Sequence, residues 1–519
     1  MKPPDISRII PAMYLVVIGV FAIVLTVDRP VYRVIDSPEP VFAAVALATL
    51  LPAAFGLMVR RRVITLLDRW PDNPSQGQFA FGRGMMILQY LLALCHGALL
   101  LVTDWLPICR SIPLIGNWPA VPGLIALFPF LLSILLSWIV VYPADRAVRQ
   151  IAVEVYLFRG RPLRPVWSIT QYLAYNLRHQ VLFILIPMLL ILAASDLADA
   201  HRDAIRRAAG GLAYAPDLLI GVTAIGVAVL APEILRHVWV TRRLPEGPLR
   251  DRLRLLCKRL PLRVRDILVW RSGGMIVNAA VMGVLAPVRY VLITDAMLER
   301  MDDTKIEAVF GHEAGHVKYH HIPCFLMFAL ISGCIVTIFS VQTHGLSRTN
   351  ETLWQILAAS LAILLAFKWA VIFGWVSRRF ERQADVHGAR TLTLSGLPCA
   401  QPCQLHSEGG AANPTTRNAP LCATAAHVFS QALHEVAVLN GIQPEARSWR
   451  HSSIGSRARF LQRLAQEPQT QRRFQRGVLL TQIAILFTAI VAAIWAGHEM
   501  RLWKSLATWL SAAQEFVLS

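Results

Sequence analysis

Charged residues are scarce in this sequence: they make up 16% of its 519 residues, and acidic ones are the scarcer kind. Soluble globular domains usually carry about 25% charged residues, so this composition argues against a soluble protein. The 51 Lys and Arg outnumber the 32 Asp and Glu, which gives a net charge of +19. A nucleic-acid binder would cluster such charge on soluble modules. Here the arginines lie mostly between apolar runs, which favours a membrane protein without a nucleic-acid partner.

Cysteine is also sparse, and its eight copies include no Cys-x-x-Cys pair. Cys399 and Cys403, with Cys422 further along the chain, could bind a metal or form a disulfide. They lie in or beside a stretch rich in Gly, Pro, Asn and Thr, residues 395–421. Unpaired loop cysteines are the simpler interpretation of this spacing.

Nine apolar runs are candidates for membrane-crossing helices, each of which needs roughly 20 mostly apolar residues. They are Ile9–Val27, Val41–Val59, Met85–Thr103, Pro122–Tyr142, Val181–Ser195, Leu218–Leu235, Ile322–Val341, Leu353–Val376 and Val478–Ala496. The first run carries no small-residue cleavage signature, so it is interpreted as a retained anchor rather than a signal peptide.

The connections between these runs alternate between rich and poor in arginine. Five arginines lie between the second and third runs and six between the fourth and fifth, whereas the alternate connections have at most three. The positive-inside rule then predicts nine spans with a cytoplasmic N-terminus. Two long polar segments, roughly 236–321 and 377–477, would both face the cytoplasm.

The first polar segment carries a mixed pattern of helices and strands. Its leucines at positions 249, 253, 256 and 260 have helical spacing. Thr304 and Glu307 form a capping-box pattern at the start of a later helix. Short β-branched runs between Gly and Pro predict a small sheet, at 266–270, 275–283 and 289–294.

That later helix contains the sequence HEAGH, from His312 to His316. Residues four apart lie on one face of a helix, about 6 Å apart along its axis, so both imidazoles can reach one zinc ion. Glu313 can reach a water on that metal and act as general base. A polar helix of solvated histidines is the alternative interpretation of the motif alone.

A catalytic zinc needs three protein ligands and one open position. His320 is separated from His312 by about 12 Å of helix rise, too far to share a metal. Glu351 falls in the short connection of the predicted hairpin, on the membrane face opposite the histidines, whereas Glu381 follows the span that returns to their face. Glu381 is therefore the predicted third ligand, and Asp385 one turn later is placed to accept a hydrogen bond from a ligand imidazole. The alternative is that both carboxylates pair with nearby arginines, namely Arg378, Arg379 and Arg382.

Four stretches together resemble the membrane gluzincins, the zinc metalloprotease family that includes the CAAX prenyl proteases and HtpX. They are NAAVMG with RYVLITDAML, HEAGHVKYH, SRRFERQAD and HSSIGSRARFL, and with LPEGPLRDRLRLL they cover roughly residues 240–465 in the family's order. The apolar runs and this resemblance imply a predominantly α-helical membrane protein with about nine transmembrane helices. A small α+β zincin-type catalytic domain would be split by a transmembrane hairpin.

The resemblance also assigns roles to particular residues. It implies one zinc ion per chain, bound by His312, His316 and Glu381, with Glu313 as general base. It further implies Asp385 and Arg457 as residues that support the site, His451 as a stabiliser of the tetrahedral intermediate, and an edge strand for the substrate backbone at Asn278, Ala279 and Ala280. The sequence departs from the family at Ser452, where proline is common, so His451 is also open to interpretation as an ordinary loop histidine.

The resulting organisation has five parts. They are an N-terminal transmembrane region of about six spans (1–235), the first half of a cytoplasmic metallopeptidase domain (236–321), a transmembrane hairpin (322–376), the second half of that domain (377–477), and a C-terminal transmembrane helix and tail (478–519).

The function implied by the resemblance is zinc-dependent endopeptidase activity at the cytoplasmic face of a bacterial inner (plasma) membrane. Its partners would be peptide or protein substrates and the lipid bilayer. An alternative is a membrane sensor or regulatory scaffold whose HExxH module signals or self-cleaves. A transporter would need paired polar breaks at matching places in two halves of the chain, and the sequence shows none.

Overall fold

A computed structural model of the chain describes most of its residues. They are 38–71, 75–116, 118–158, 166–210, 214–274, 276–394, 399, 421–440, 442, 445, 450–500 and 507. The described part is mostly helical and contains one small sheet. The predicted span Ile9–Val27, Cys403 and almost all of the stretch 395–421 lie outside the described residues.

The N-terminal part is a group of long apolar helices with short helices between them. Its elements are α1 (Pro38–Arg69), α2 (Ser75–Val102), α3 (Trp105–Arg110), α4 (Val121–Phe158), α5 (Ile169–Asn176), α6 (Phe183–Ala200), α7 (Arg202–Ala208) and α8 (Ala215–Val238). A π-helical turn at Leu177–Leu182 joins α5 to α6. Helix α1 packs against both α2 and α4, and their apolar faces form a buried core.

A four-stranded sheet follows, in the order β1-β2-β4-β3. Its elements are β1 (Thr241–Arg243), α9 (Pro248–Arg259), β2 (Asp266–Trp270), β3 (Ala279–Met282), β4 (Tyr290–Thr294) and α10 (Asp295–Arg300). Strands β2 and β4 run parallel, and the outer strands β1 and β3 are antiparallel to their neighbours. The predicted small sheet is confirmed, with β3 shorter than the apolar run that contains it and at one edge.

The rest of the chain is helical. Its elements are α11 (Asp303–Lys318), α12 (His321–Thr343), α13 (Leu346–Thr349), α14 (Glu351–Phe367), α15 (Gly374–Leu394), α16 (Ala423–Leu439), α17 (Ile454–Gln466) and α18 (Pro468–Glu499). A π-helical turn at Lys368–Phe373 joins α14 to α15, so that the three form one long rod. Helix α11 packs against β3 and extensively against α15.

Eight helices of the described residues are long and apolar enough to cross a membrane. They are Pro38–Arg69, Gln76–Val102, Val121–Gln150, Ile169–Ala200, Ala215–Val238, His321–Thr343, Glu351–Thr393 and Gln469–Glu499. Each contains or overlaps one predicted span from the second onward, so the prediction of a mainly α-helical multi-pass membrane protein with a small sheet is confirmed. The division into five domains stays a prediction.

The helix Glu351–Thr393 is much longer than a membrane is thick. Its 43 residues would extend about 64 Å at 1.5 Å per residue, against a hydrocarbon core of about 30 Å. Its C-terminal half, which carries Glu381 and Asp385, therefore projects out of the apolar region. Within the hairpin, Lys368 Nζ donates hydrogen bonds to Phe328 O at 2.8 Å and Ser332 Oγ at 2.5 Å, which ties the returning helix to α12.

Helix α11 begins differently from the predicted capping box. Its N-cap is Asp302, whose side chain accepts a hydrogen bond from Lys305 N at 2.9 Å. The prediction that Thr304 and Glu307 cap the helix is wrong, because Glu307 is buried and pairs with Arg252, with Nε and Oε1 2.5 Å apart. Aspartate is as good an N-cap as serine or threonine, so local sequence did not discriminate between the two starts.

Glycines let α11 and α15 approach closely. A Cβ added to Gly315 would lie 3.0 Å from Ala384 Cα. A Cβ added to Gly388 would lie 3.0 Å from both Ala308 O and His312 N, and it would also meet the ring of Phe429. Since real Cβ atoms almost never come this close to backbone, the two helices owe their separation to these glycines.

We expect Gly388→Ala to lower the thermal unfolding midpoint of the detergent-purified protein, because overpacking a buried contact costs about 1–3 kcal/mol. Gly333→Ala is the matched control: it lies on α12, and nothing is within 4 Å of an added Cβ. Alanine favours a helix over glycine by about 1 kcal/mol, so the control should be neutral or stabilising. A Gly388→Ala protein as stable as the control would contradict close packing at this point.

Candidate metal centre

The two histidines of the HEAGH motif lie on the face of α11 that is turned toward α15. His312 is buried and His316 is half-buried. Their Nε2 atoms are 3.3 Å apart. Both rings therefore direct the same nitrogen at one point, as the four-residue spacing on a helix predicts.

Glu381 reaches this point from α15. Its Oε2 is 3.6 Å from His312 Nε2, and its Oε1 is 3.7 Å from His316 Nε2. Three atoms bonded to one tetrahedral ion at about 2.0–2.2 Å are about 3.4 Å from one another. The observed separations fit that arrangement without movement of the helices. Among the residues described, this is the one group of three or more His, Cys, Asp or Glu found close enough to hold a metal ion.

Asp385 and Arg457 lie behind the cluster and are both buried. Arg457 donates two hydrogen bonds to Asp385, from Nε to Oδ2 at 2.8 Å and from Nη2 to Oδ1 at 2.5 Å. Burial disfavours charge on Arg457, but the carboxylates of Asp385 and Glu381 outweigh it and raise its pKa. Asp385 Oδ1 is also 2.9 Å from His312 Nδ1. The bidentate partner of Asp385 is thus Arg457.

Glu313 lies on the other side of the pair of histidines, against the sheet. Its Oε2 accepts a hydrogen bond from the main-chain N–H of Val281 at 3.2 Å. Burial raises the pKa of the Glu313 carboxyl to about 7, against the opposing charge of His312. A carboxylate whose pKa lies near neutrality is suited to exchange protons as general base and acid.

His451 approaches Glu381 from the segment that precedes α17. Its Nδ1 is 3.0 Å from Glu381 Oε2, and its side chain is 48% exposed. The next residue, Ser452, has a φ of 62°. A proline ring fixes φ near −65°, so proline could not occupy this position with the backbone as it is. Serine rather than proline at position 452 is therefore compatible with the backbone found here.

The edge strand β3 passes beside Glu313. It contains Ala279 and Ala280, whereas Asn278 lies just before it and exchanges hydrogen bonds with Thr294. Because Val281 N–H is turned toward Glu313, the strand's alternation turns the main chain of Ala279 to the same side, away from β4, where Ala279 is buried. Ala280, by the same alternation, faces β4.

Some residues around the site were not predicted from the sequence. His321 is buried beneath His316, while its neighbour His320 is exposed with a φ of 55°. The side-chain amide of Asn440 binds both main-chain groups of Val277, accepting from N at 3.1 Å and donating to O at 2.7 Å. The one sequence signal for His321 is its position at the start of an apolar helix, where an unpaired imidazole would be costly.

Comparison with known proteins gives matches to one family. The sequence model of peptidase family M48 matches residues 266–476. A protease HtpX homolog from Picrophilus torridus is 33% identical over 103 residues, which is 20% of this chain and 33% of that protein. A protease HtpX homolog from Archaeoglobus fulgidus is 26% identical over 143 residues, which is 27% of this chain and 42% of that protein. The chain thus spans less than half the length of these relatives.

A crystal structure of Ste24p from S. mikatae aligns with 84% of this chain and 100% of its own, with 14% identity and a TM-score of 0.44. The family segment contains His312, His316, Glu381 and Arg457, and the predicted resemblance to this kind of protease is confirmed by the matches of the sequence. Residues 266–476 of this chain are thus similar to the metalloproteases of peptidase family M48.

Proposed function

We propose that the protein is a membrane-embedded zinc endopeptidase that cleaves cytoplasmic or membrane-associated protein substrates. The observation that carries the proposal is the convergence of His312, His316 and Glu381 with donor atoms 3.3–3.7 Å apart. Two imidazoles and one carboxylate are a known ligand set for catalytic zinc. Zinc bound by these three residues would leave a fourth position for reaction.

The electrostatic balance of the cluster supports a divalent cation. Three carboxylates, those of Glu313, Glu381 and Asp385, converge on a buried region in which Arg457 is the paired cation. Buried charge is costly unless it is compensated. A divalent metal ion between the histidines would offset the excess negative charge and suit the nitrogen and oxygen donors present.

Each side chain then has a defined task in hydrolysis. Lewis-acid chemistry at zinc, when the ion is bound, lowers the pKa of water to about 7 and polarises the scissile carbonyl. Glu313 accepts the proton of the attacking water and delivers it to the leaving amine. His451, on the exposed side of Glu381, is positioned to donate a hydrogen bond to the developing oxyanion. Arg457 holds Asp385, which in turn orients His312.

The substrate backbone would bind along the open side of β3, at Ala279 and its neighbours. An extended peptide can pair with an exposed strand through main-chain hydrogen bonds, whatever its side chains. Such pairing would bring the scissile bond alongside Glu313, which already contacts Val281 N–H. The long helical rod that carries Glu381 places the proposed active site at the end of a transmembrane hairpin. A site there can act on protein segments that emerge from the membrane. We infer from the distribution of arginine that this face is cytoplasmic, and we propose a bacterial inner membrane as the location.

Glu313→Gln should abolish hydrolysis, by at least about a hundredfold, because an amide cannot accept the water's proton. Zinc content of the purified variant should equal that of the wild type. Cells with either protein are compared for new protein termini in the membrane proteome. Termini that depend on wild-type Glu313 would also identify substrates, and a variant that cleaves as well as the wild type would refute the role of general base.

Glu381→Ala should lose zinc and activity together, since only two protein ligands remain. Glu351→Ala provides the matched control: this carboxylate is exposed at the start of α14. Metal analysis and cleavage assays distinguish the two variants. Removal of metal from the wild type with a chelator should likewise stop cleavage, and added zinc should restore it. Retention of a full zinc equivalent by Glu381→Ala would exclude this residue as a ligand.

Ala279→Pro should raise KM with little change in kcat, because it removes one outward N–H from the edge strand. A main-chain hydrogen bond contributes about 0.5–1.5 kcal/mol, which corresponds to a two- to tenfold change. Proline is tolerated at an edge position whose N–H does not pair within the sheet. Ala279→Gly keeps the N–H and adds no volume at this buried side chain, so it should retain the wild-type KM; equal values for the two variants would argue against pairing of substrate here.

A further inference from the structure

His321 lies directly under the metal-site histidine His316 and is completely buried. Its Nδ1 is 2.9 Å from His316 Nδ1, and its Nε2 is 2.9 Å from Gln383 Oε1. Its ring stacks on Phe380, with centroids 4.3 Å apart and planes 5° from parallel. All three neighbours hold the imidazole in one orientation, and it contacts Nδ1 of His316 rather than the Nε2 that faces His312.

The chemistry of these partners fixes the direction of each hydrogen bond. The amide oxygen of Gln383 can only accept, so Nε2 of a neutral His321 must carry the proton. Its Nδ1 is then a bare acceptor, and Nδ1 of His316 must donate to it. His316 Nε2 is thereby left with a free lone pair, and this is the nitrogen that faces His312 and Glu381.

The opposite assignment would be incompatible with a metal. If the amide of Gln383 were turned to donate, His321 Nδ1 would carry the proton and His316 Nδ1 would have to accept it. A neutral His316 would then carry its proton on Nε2, where it would point into the cluster and block a metal bond. A ligand histidine needs its other nitrogen to donate a hydrogen bond, and only the first assignment satisfies this need.

The chain of hydrogen bonds continues from the site into the C-terminal membrane helix α18. Gln383 Nε2 donates to Gln475 Oε1 at 2.6 Å. Seven residues later, and so on the same face of α18, Gln482 Nε2 donates to Tyr319 O at 2.6 Å, in the turn that leads from α11 to His321. With its Nε2 on Gln475 Oε1, the Gln383 amide directs its oxygen toward His321.

We propose that His321 is a positioning residue that fixes the metal-binding tautomer of His316, with Gln383 of α15 as the acceptor of the His321 Nε2–H and Gln475 of α18 in contact with Gln383. The inference rests on the proposed zinc site and deepens it. It assigns to the C-terminal membrane helix a part in metal affinity, through a hydrogen-bonded chain from Gln475 to His316.

Two substitutions of His321 separate hydrogen bonding from packing. His321→Phe keeps a ring to stack on Phe380 but has no acceptor, whereas His321→Asn loses the ring and keeps an acceptor near the former Nδ1. We expect the Phe variant to bind zinc about 10–100-fold more weakly, as is typical when the partner of a ligand histidine is lost, and the Asn variant to remain within a few-fold of wild type. Zinc affinity is measured on the purified full-length protein by competition with a chromophoric chelator.

Gln383→Glu and Gln383→Leu provide a second pair that leaves His321 in place. A carboxylate still accepts from His321 Nε2, so the Glu variant should retain zinc affinity, whereas Leu should weaken it. His320→Asn is the matched control, because His320 is exposed and asparagine tolerates its left-handed backbone. This control should bind zinc as wild type does, and thermal unfolding of the metal-free proteins verifies that each variant is folded.

The outcomes discriminate between the possibilities. If His321→Phe binds zinc as tightly as the wild type, the hydrogen-bond acceptor is irrelevant and the proposal is overturned. If His321→Phe and His321→Asn lose zinc affinity equally, the loss comes from packing, which also overturns the proposal. If His321→Phe does not fold, equal affinities of the two Gln383 variants would overturn it instead. A wild-type protein that binds no zinc would refute the proposed function itself, which is a different result from a zinc-binding protein indifferent to His321.

Discussion

The meeting of one carboxylate with two imidazoles is the contact on which the site depends. Glu381 is 65 residues beyond His316 and joins it only because α11 and α15 pack at a separation that Gly315 and Gly388 allow. The charged groups at that contact are buried, so their mutual compensation decides whether the packing is stable. Arg457 compensates Asp385, and the remaining negative charge matches the proposed cation.

The transmembrane hairpin is the means by which the two halves of the site meet. Helix α12 leaves from the turn after His316, and the rod from Glu351 to Leu394 returns and continues past the apolar region. Lys368 fastens the two arms to each other. Because α18 contacts α12 along its length and also reaches Gln383, the membrane helices and the site form one continuous packing unit rather than a soluble domain on an anchor.

The features that depend on periodicity could be predicted from the sequence. Span positions follow from apolar runs, the orientation of His312 and His316 follows from four-residue spacing, and the selection of Glu381 over Glu351 follows from the return of a hairpin. The features that depend on tertiary contact could not. The N-cap at Asp302 goes with the burial of Glu307 against Arg252. Gln383, which binds His321, and Asn440, which binds Val277, lie on helices distant in the sequence, for which no local pattern exists.

The two hydrogen bonds between the Asn440 side chain and the main chain of Val277 have a consequence for the edge of the sheet. Val277, Ala279 and Val281 alternate outward, and the first of them has both main-chain groups occupied by the asparagine amide. The amide thus takes the place of a neighbouring strand at this single residue and prevents another peptide from pairing there. The strand beyond Val277 is only four residues long. It is too short to template indefinite strand addition, and a peptide paired with it would have one starting register.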